Sequence, residues 1–318
     1  MITKSDVQAA RRRITGKVRA TPLVAVDPGR FGSAEQVWFK FEQIQHAGSF
    51  KARGAYNRIL SAAERGELPE VGVVAASGGN HGLAVAFVAA QSKTPARIFV
   101  PENAPPVKVA KLHKLGAEVV QVGQKYADAY EACAKYAAES GALLCHAYDQ
   151  PDICAGQGTL GIELLEQTDG QLDTILVAVG GGGLLAGIAA ATEGQARVVG
   201  VEPSNAPTLH AALAAGRPVD VPVSGVAADS LGATRAGDIA YEVARRTGVV
   251  SALVSDADIV AARLMLWNEW RLVVEHGAAA PVAALISGAY EPAVGERIVV
   301  LLCGGNTDPG DLIKPVPR

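Results

Sequence analysis

The segment His46 to Ala55, H-A-G-S-F-K-A-R-G-A, puts Lys51 near the start of an apolar helix, two residues after Ser49, the expected N-cap. A lysine there is electrostatically misplaced, because the positive end of the helix dipole repels it. Repulsion combined with burial lowers an amine's pKa and makes it nucleophilic, as Schiff-base chemistry requires. A solvated surface lysine is the commoner alternative, so the rest of the chain must decide.

Three glycine-bearing segments follow apolar runs that read as strands. Ala75 to Gly82, A-A-S-G-G-N-H-G, lets backbone amides approach a ligand at a helix start, or is a tight turn capped by Ser77 or Asn80. Val177 to Gly187, V-A-V-G-G-G-G-L-L-A-G, is an amide cradle for phosphate. Its Gly181, Gly183 and Ala186 also fit G-x-G-x-x-A, with Glu202 ending the next strand about 20 residues on, the dinucleotide fingerprint of an NAD-dependent oxidoreductase. This segment does not choose between NAD and another phosphate-bearing cofactor. Leu301 to Asp308, L-L-C-G-G-N-T-D, places Cys303 at a third strand end, as a site residue or as a buried thiol before a turn.

The elements that must position these loops alternate. A first helix is expected from Ser5, where S-D-V-Q reads as a capping box, to about Val18, with Thr21-Pro22 closing it off. Strands are expected at Val37–Phe41, Val71–Ala75, Arg97–Val100, Glu118–Val122, Ala142–Cys145, Thr174–Val179, Arg197–Glu202, Val249–Val254 and Arg297–Leu302. Helices are expected at Asn80–Gln91, Pro105–Leu115, Tyr126–Glu139, Ile153–Gln167 and Asp256–Glu275. Short apolar runs alternating with helices imply parallel sheet, because parallel strands need a crossover. Ligands then bind beyond the carboxyl ends of the strands, where the glycine loops fall.

Composition narrows the class. Of 318 residues 35 are glycine and 49% are hydrophobic, so a large core is available and the surplus glycine needs a local explanation. Aromatics are only 5%, which leaves Ala, Val, Leu and Ile to build the core of a layered α/β protein. A net charge of −3 gives no support to a nucleic-acid grip. Arg11 to Arg13 read as the solvated face of the first helix. Cys133, Cys145, Cys154 and Cys303 form no C-x-x-C pair, which argues against zinc and disulfides and suits a reducing cytoplasm. The N-terminus has no apolar signal region. The uncharged stretch Thr174 to Thr192 is long enough for a membrane span, but its central glycines favour strand, loop and helix.

Together these segments resemble the pyridoxal-phosphate enzymes of the tryptophan-synthase-β fold type, specifically the threonine/serine dehydratase and serine racemase family. Six segments carry the resemblance in order, from about Thr21 to Asp308. They are G-S-F-K-A-R-G-A (Gly48 to Ala55), S-G-G-N-H-G (Ser77 to Gly82), V-P-E-N-A-P (Val100 to Pro105), A-G-Q-G-T (Ala155 to Thr159), G-G-G-G-L (Gly180 to Leu184) and C-G-G-N-T-D (Cys303 to Asp308).

The resemblance implies an α/β fold of two open, mostly parallel sheets flanked by helices, with the cofactor between a large and a small domain. Residues 1–66 and 147–318 would form the large cofactor-binding domain and 67–146 the small mobile one. Lys51 would form the Schiff base with pyridoxal 5′-phosphate, and Phe50 would pack beside its ring. The amides of Gly180, Gly181, Gly182, Gly183 and Leu184 would hold the phosphate, Asn80 the ring hydroxyl, and Cys303 would face the ring nitrogen. Ser77, Gly78, Gly79, Asn80 and His81 would receive the substrate carboxylate, with His81 structural rather than an acid or base. A neutral thiol, with its ordinary pKa near 8.5, cannot protonate the ring nitrogen as an aspartate would. The implied reaction is β-elimination of a small 3-hydroxy amino acid, L-threonine or L-serine, to a 2-oxo acid and ammonia. A homodimer or higher homo-oligomer, cytoplasmic and without nucleic-acid or membrane partners, is also implied.

Departures from the family pattern refine the expectation. Racemases carry a serine where this chain has Gly78, and Tyr148 to Pro151, Y-D-Q-P, is similar to the dehydratase version, so dehydration is expected over racemisation. A lyase for another 3-hydroxy amino acid, such as 3-hydroxyaspartate or a bulkier one, is the alternative. Racemases bind a divalent cation through positions matching Glu202 and Ala206 and an aspartate where this chain has Thr208, so no metal is expected and Glu202 and Ala206 stay a weak candidate. Ser230 stands where relatives have glycine, and His276 in E-H-G-A where a proline follows the glutamate. The chain ends shortly after Asp308, so no regulatory domain and no isoleucine feedback through one are expected.

Overall fold

The computed structural model describes residues 1–313. Along the chain, α1 (Lys4–Ile14), β1 (Leu23–Ala25), β2 (Gln36–Phe41) and α2 (Lys51–Glu64) come first. A unit of β3 (Val73–Ala76), α3 (Asn80–Gln91), β4 (Ala96–Val100), α4 (Pro106–Lys114), β5 (Glu118–Gln121), α5 (Tyr126–Ser140) and β6 (Leu143–Leu144) follows. The remainder runs through α6 (Pro151–Gln167), β7 (Thr174–Ala178), α7 (Gly183–Thr192), β8 (Arg197–Pro203), α8 (Thr208–Ala215), α9 (Asp238–Thr247) and β9 (Val250–Val254). It closes with α10 (Asp256–Trp270), α11 (His276–Ser287) and β10 (Arg297–Leu302).

The strands form two sheets, ordered β1-β2-β10-β7-β8-β9 and β5-β4-β3-β6. Every pairing is parallel except β1 with β2. All five residues of β7 and all ten of α7 are buried, as expected of a central parallel strand and a helix covered on every side. The uncharged stretch Thr174 to Thr192 is thus β7, the glycine loop and α7, and among the described residues no helix is long and apolar enough to cross a membrane. Helices α6 and α7 touch backbone to backbone, since a Cβ on Gly158 would lie 2.4 Å from the Gly187 carbonyl oxygen.

Several boundaries differ from the sequence expectation for identifiable reasons. Helix α1 starts one residue sooner, at Lys4, because Thr3 and Asp6 rather than Ser5 form the capping box, and it ends at Ile14 instead of Val18. Arg11 and Arg13 are half-buried and paired with Glu166 and Glu64, so only Arg12 of that run is simply solvated. The stretch expected as one helix from Asp256 to Glu275 stops at Trp270, where Arg271 adopts a left-handed φ of 55°. Ser49 does not cap α2. It is extended and bridges to Gly304, its hydroxyl is buried with no hydrogen-bond partner among the described residues, and Phe50 takes the N-cap position.

Candidate active site

Lys51 is the first residue of α2, and its loop is stitched to the end of β10. The Phe50 N–H donates to the Cys303 carbonyl at 3.1 Å, and Ser49 pairs antiparallel with Gly304. Beneath it, the fully buried Arg53 donates to Glu42 (2.7 and 2.8 Å) and to Glu163 (2.9 Å), and buried Lys40 also donates to Glu163 (2.5 Å). Two cations and two carboxylates, gathered from β2, α2, α6 and the turn after β2, thus fix the helix that carries Lys51. The Lys51 amine donates to the Ala147 carbonyl at 2.5 Å and lies 5.0 Å from the Phe50 ring centroid. Burial lowers its pKa from 10.5 to about 8, against the opposing pull of Cys154, Cys303 and Glu275.

Asn80 opens α3. Its Nδ2 donates to both carboxylate oxygens of Glu275 (2.9 and 2.8 Å), and its Oδ1 accepts from Asn306 Nδ2 (2.6 Å). Asn306 also donates to the Ala47 carbonyl at 2.7 Å, beside the Lys51 loop. The Glu275 N–H donates to the Gly304 carbonyl at 3.0 Å, and a Cβ on Gly304 would come within 2.4 Å of Glu275 Oε2. Burial raises the Glu275 pKa, with the Asn80 hydrogen bond opposing. Cys303, also buried, has its thiol pushed up to about 12 by burial first and by Glu275 second, so it is neutral.

The glycine loop joins β7 to α7. A Cβ on Gly181 would lie 2.3 Å from the Tyr148 ring, one on Gly182 2.5 Å from the Ala240 side chain, and one on Gly183 2.5 Å from the Tyr148 carbonyl oxygen. The loop therefore sits flush against the segment whose Ala147 carbonyl holds Lys51. The amides of Gly183 and Leu184 belong to the first turn of α7 and have no intrahelical acceptor, which suits them to an anion. Gln157 of α6 is fully buried between Gly54 and Gly183, and both its amide atoms lack hydrogen-bond partners among the described residues. A bare cradle, an orphaned buried amide and a low-pKa lysine together fit a phosphate-bearing aldehyde.

The Ser77 to Gly79 loop borders the same space. Its Gly79 N–H donates to Ser77 Oγ at 3.2 Å, and the nearest atom to a Cβ on Gly78 would be Val100 Cγ1 at 3.5 Å. His81 is buried and donates Nε2–H to the Cys145 carbonyl at 2.8 Å; burial, then the nearby Lys51 charge, holds its pKa down to about 3. Glu202 lies near the end of β8, and the Thr208 hydroxyl reaches both it (3.3 Å) and the Gly180 carbonyl (2.5 Å). The Glu202 oxygens accept from the Leu209 and His210 N–H groups (2.7 and 2.8 Å) and from Ser251 Oγ (2.7 Å), which makes Glu202 the cap of α8. That geometry leaves it no role on a ribose. Ala206 is buried, and its N–H donates to the Pro203 carbonyl.

Lys51, Phe50, Asn80 and Cys303 therefore meet at one place, with Gly180 to Leu184 and Ser77 to His81 around them. Sequence reasoning assigned no role to Glu275, Gln157, Asn306 or Cys154. The thiol of Cys154 donates to the Tyr148 carbonyl at 2.9 Å, and burial pushes its pKa to about 12. Glu275, Gln157 and Asn306 lie within motifs already singled out, so their polarity amid glycine and alanine was the available signal.

Comparison with known proteins gives the class. Residues 14–304 match the family described as pyridoxal-phosphate dependent enzyme, and the chain belongs to that family, with pyridoxal phosphate as its cofactor. It is 37% identical over 311 residues to an L-threonine ammonia-lyase of Geobacter sulfurreducens, covering 97% of this chain and 76% of that protein. It is 35% identical over 307 residues to a phenylserine dehydratase of Ralstonia pickettii, covering 96% of this chain and 93% of that protein. The solved structure of maize serine racemase superposes with a TM-score of 0.90 at 31% identity, covering 98% of this chain and 95% of that one.

Proposed function

We propose that this enzyme is an ammonia-lyase that eliminates the β-hydroxyl of a small 3-hydroxy amino acid, L-threonine or L-serine, giving a 2-oxo acid and ammonia. The observation that carries the reading is the half-buried Lys51, whose amine donates to the Ala147 carbonyl and has its pKa lowered to about 8 beside Cys303 and Glu275. When bound, pyridoxal phosphate supplies the aldehyde that takes up the substrate amine and the electron-withdrawing ring that acidifies the α-C–H bond.

The chain's own residues do the rest. The first amides of α7 would hold the phosphate, Phe50 would pack beside the ring, and Asn80, fixed by Glu275, would face the ring hydroxyl. The loop Ser77 to His81, at the positive end of α3, would take the substrate carboxylate. Lys51 Nζ, once displaced by the substrate amine, accepts the α-proton as general base. The same ammonium then donates a proton to the departing β-hydroxyl, which leaves as water. After release, water hydrolyses the unsaturated amine to the 2-oxo acid and ammonia. Cys303, its thiol kept neutral by burial, would face the ring nitrogen without adding positive charge there, which favours prompt loss of the leaving group.

Gly78 supports elimination over racemisation, because glycine has no group to move a proton on the opposite substrate face. A lyase for a bulkier or acidic 3-hydroxy amino acid is the second reading, supported by the room at Gly78, where a Cβ would meet only Val100 Cγ1 at 3.5 Å. Residues 67–146, which carry the four-stranded sheet, are proposed to move as a small domain against residues 1–66 and 147–318. The protein is proposed to act in the cytoplasm as a homodimer or higher homo-oligomer, without a metal at Glu202 and Ala206. A panel of 3-hydroxy amino acids assayed for ammonia release tests the function. L-serine must give pyruvate faster than D-serine; the reverse order overturns the elimination reading.

A further inference from the structure

We propose that Ser230 is a positioning residue that caps α11 from a remote loop and thereby holds Glu275 on Asn80. The inference rests on the reading above only in taking Asn80 as a cofactor-facing group. An N-cap side chain ordinarily accepts an N–H from the first turn of its helix. Glu275 occupies the N-cap of α11 with φ −65° and ψ 155°, yet makes no such bond, because both carboxylate oxygens are turned to Asn80. The acceptor comes instead from 47 residues away, where Ser230 Oγ takes the Gly277 N–H at 3.1 Å. The hydroxyl's own hydrogen goes to the Ala227 carbonyl at 3.3 Å, which aims a lone pair at the helix.

The two partners fit only as a pair. A Cβ on Gly277 would stand 2.5 Å from Ser230 Oγ and 2.6 Å from Leu231 Cγ. Leu231 in turn backs the glycine cradle, its Cα lying 3.2 Å from where a Cβ on Gly180 would be. One short loop thus touches both the phosphate cradle and the helix that begins at Glu275. His276, the first helical residue, does not preset the helix entry as a proline would. The ψ of Glu275 is one a following proline accepts, so the backbone leaves that alternative open. Ser230 does by hydrogen bonding what a ring at position 276 would do by covalent constraint.

The test uses the cofactor-loaded protein and reads cofactor dissociation and the absorbance maximum of the bound cofactor. Loss of an N-cap acceptor is worth about fivefold in an equilibrium constant. S230A is expected to weaken cofactor retention by about that factor and to shift the absorbance maximum, and S230A/H276P to restore both. Gly277→Ala, which drives a methyl against the same hydroxyl, must reproduce the S230A shift. An S230A protein with unchanged retention and absorbance, whatever its melting temperature, overturns the inference, as does a double variant that folds without recovering them. Wild-type protein that takes up no cofactor would instead overturn the functional reading itself.

Discussion

The lowered pKa of Lys51 has a consequence in the cofactor-free protein that needs no catalysis to measure. An amine whose folded pKa is about 8 rather than 10.5 is harder to protonate in the fold than in the unfolded chain. Between those values the unfolded chain binds more protons. The destabilisation is therefore complete below pH 8 and vanishes as pH rises through 10.5. At 1.36 kcal/mol per pKa unit the ceiling is about 3 kcal/mol. Replacing Lys51 by methionine removes that burden but also strands the Ala147 carbonyl, which costs about 1 kcal/mol. The cofactor-free Lys51→Met protein is expected to be about 2 kcal/mol more stable than wild type at pH 7, with the advantage gone above pH 10. Urea unfolding of both proteins across that range is the assay. A variant less stable than wild type at pH 7, or a difference that does not change with pH, would mean that Lys51 carries no such protonation penalty in the fold.

Other outcomes follow from individual contacts. Arg53→Met leaves Glu42 and Glu163 buried beside a neutral side chain, and should cost about 3–5 kcal/mol in denaturant unfolding. Gly183→Ala pushes a methyl to within 2.5 Å of the Tyr148 carbonyl oxygen and should weaken cofactor binding, followed by fluorescence titration, by about tenfold or more, roughly the 1–3 kcal/mol of overpacking. Gly78→Ser meets only Val100 at 3.5 Å, so the variant should fold normally and gain D-serine formation relative to pyruvate, read by chiral chromatography. Ammonia release should be unchanged by a chelator, because the Glu202 oxygens are already taken by α8 and Ser251.

The legible parts of the fold are those governed by local pattern. Arg297–Leu302 and Asn80–Gln91 stand where the sequence puts them, one a buried apolar run and the other a helix opened by Gly78-Gly79. Strand β1 escaped notice because three residues beside Pro22 carry no periodicity, and it is held only by pairing with β2. The break between α10 and α11 escaped because Arg271 turns left-handed without being glycine. The site divides in the same way. Lys51, Asn80 and Cys303 are readable because residue type and a glycine-rich setting announce them. Glu275 is not, since its meaning depends on Asn80, 195 residues away, and a carboxylate before a helix reads first as an ordinary cap. Ser230 and His276 read as separate oddities, and only the 3.1 Å contact of Ser230 with the neighbouring Gly277 joins them.

The half-buried amine of Lys51 is proposed to bear the cofactor and to perform the elimination. Borohydride reduction of the cofactor-loaded protein, followed by peptide mass mapping and an ammonia assay with L-threonine, tests this role most directly. The expected result is a single pyridoxyl group on the peptide containing Lys51, together with complete loss of ammonia release. A label on another lysine, or undiminished ammonia release from the labelled protein, would place the chemistry on a residue other than Lys51.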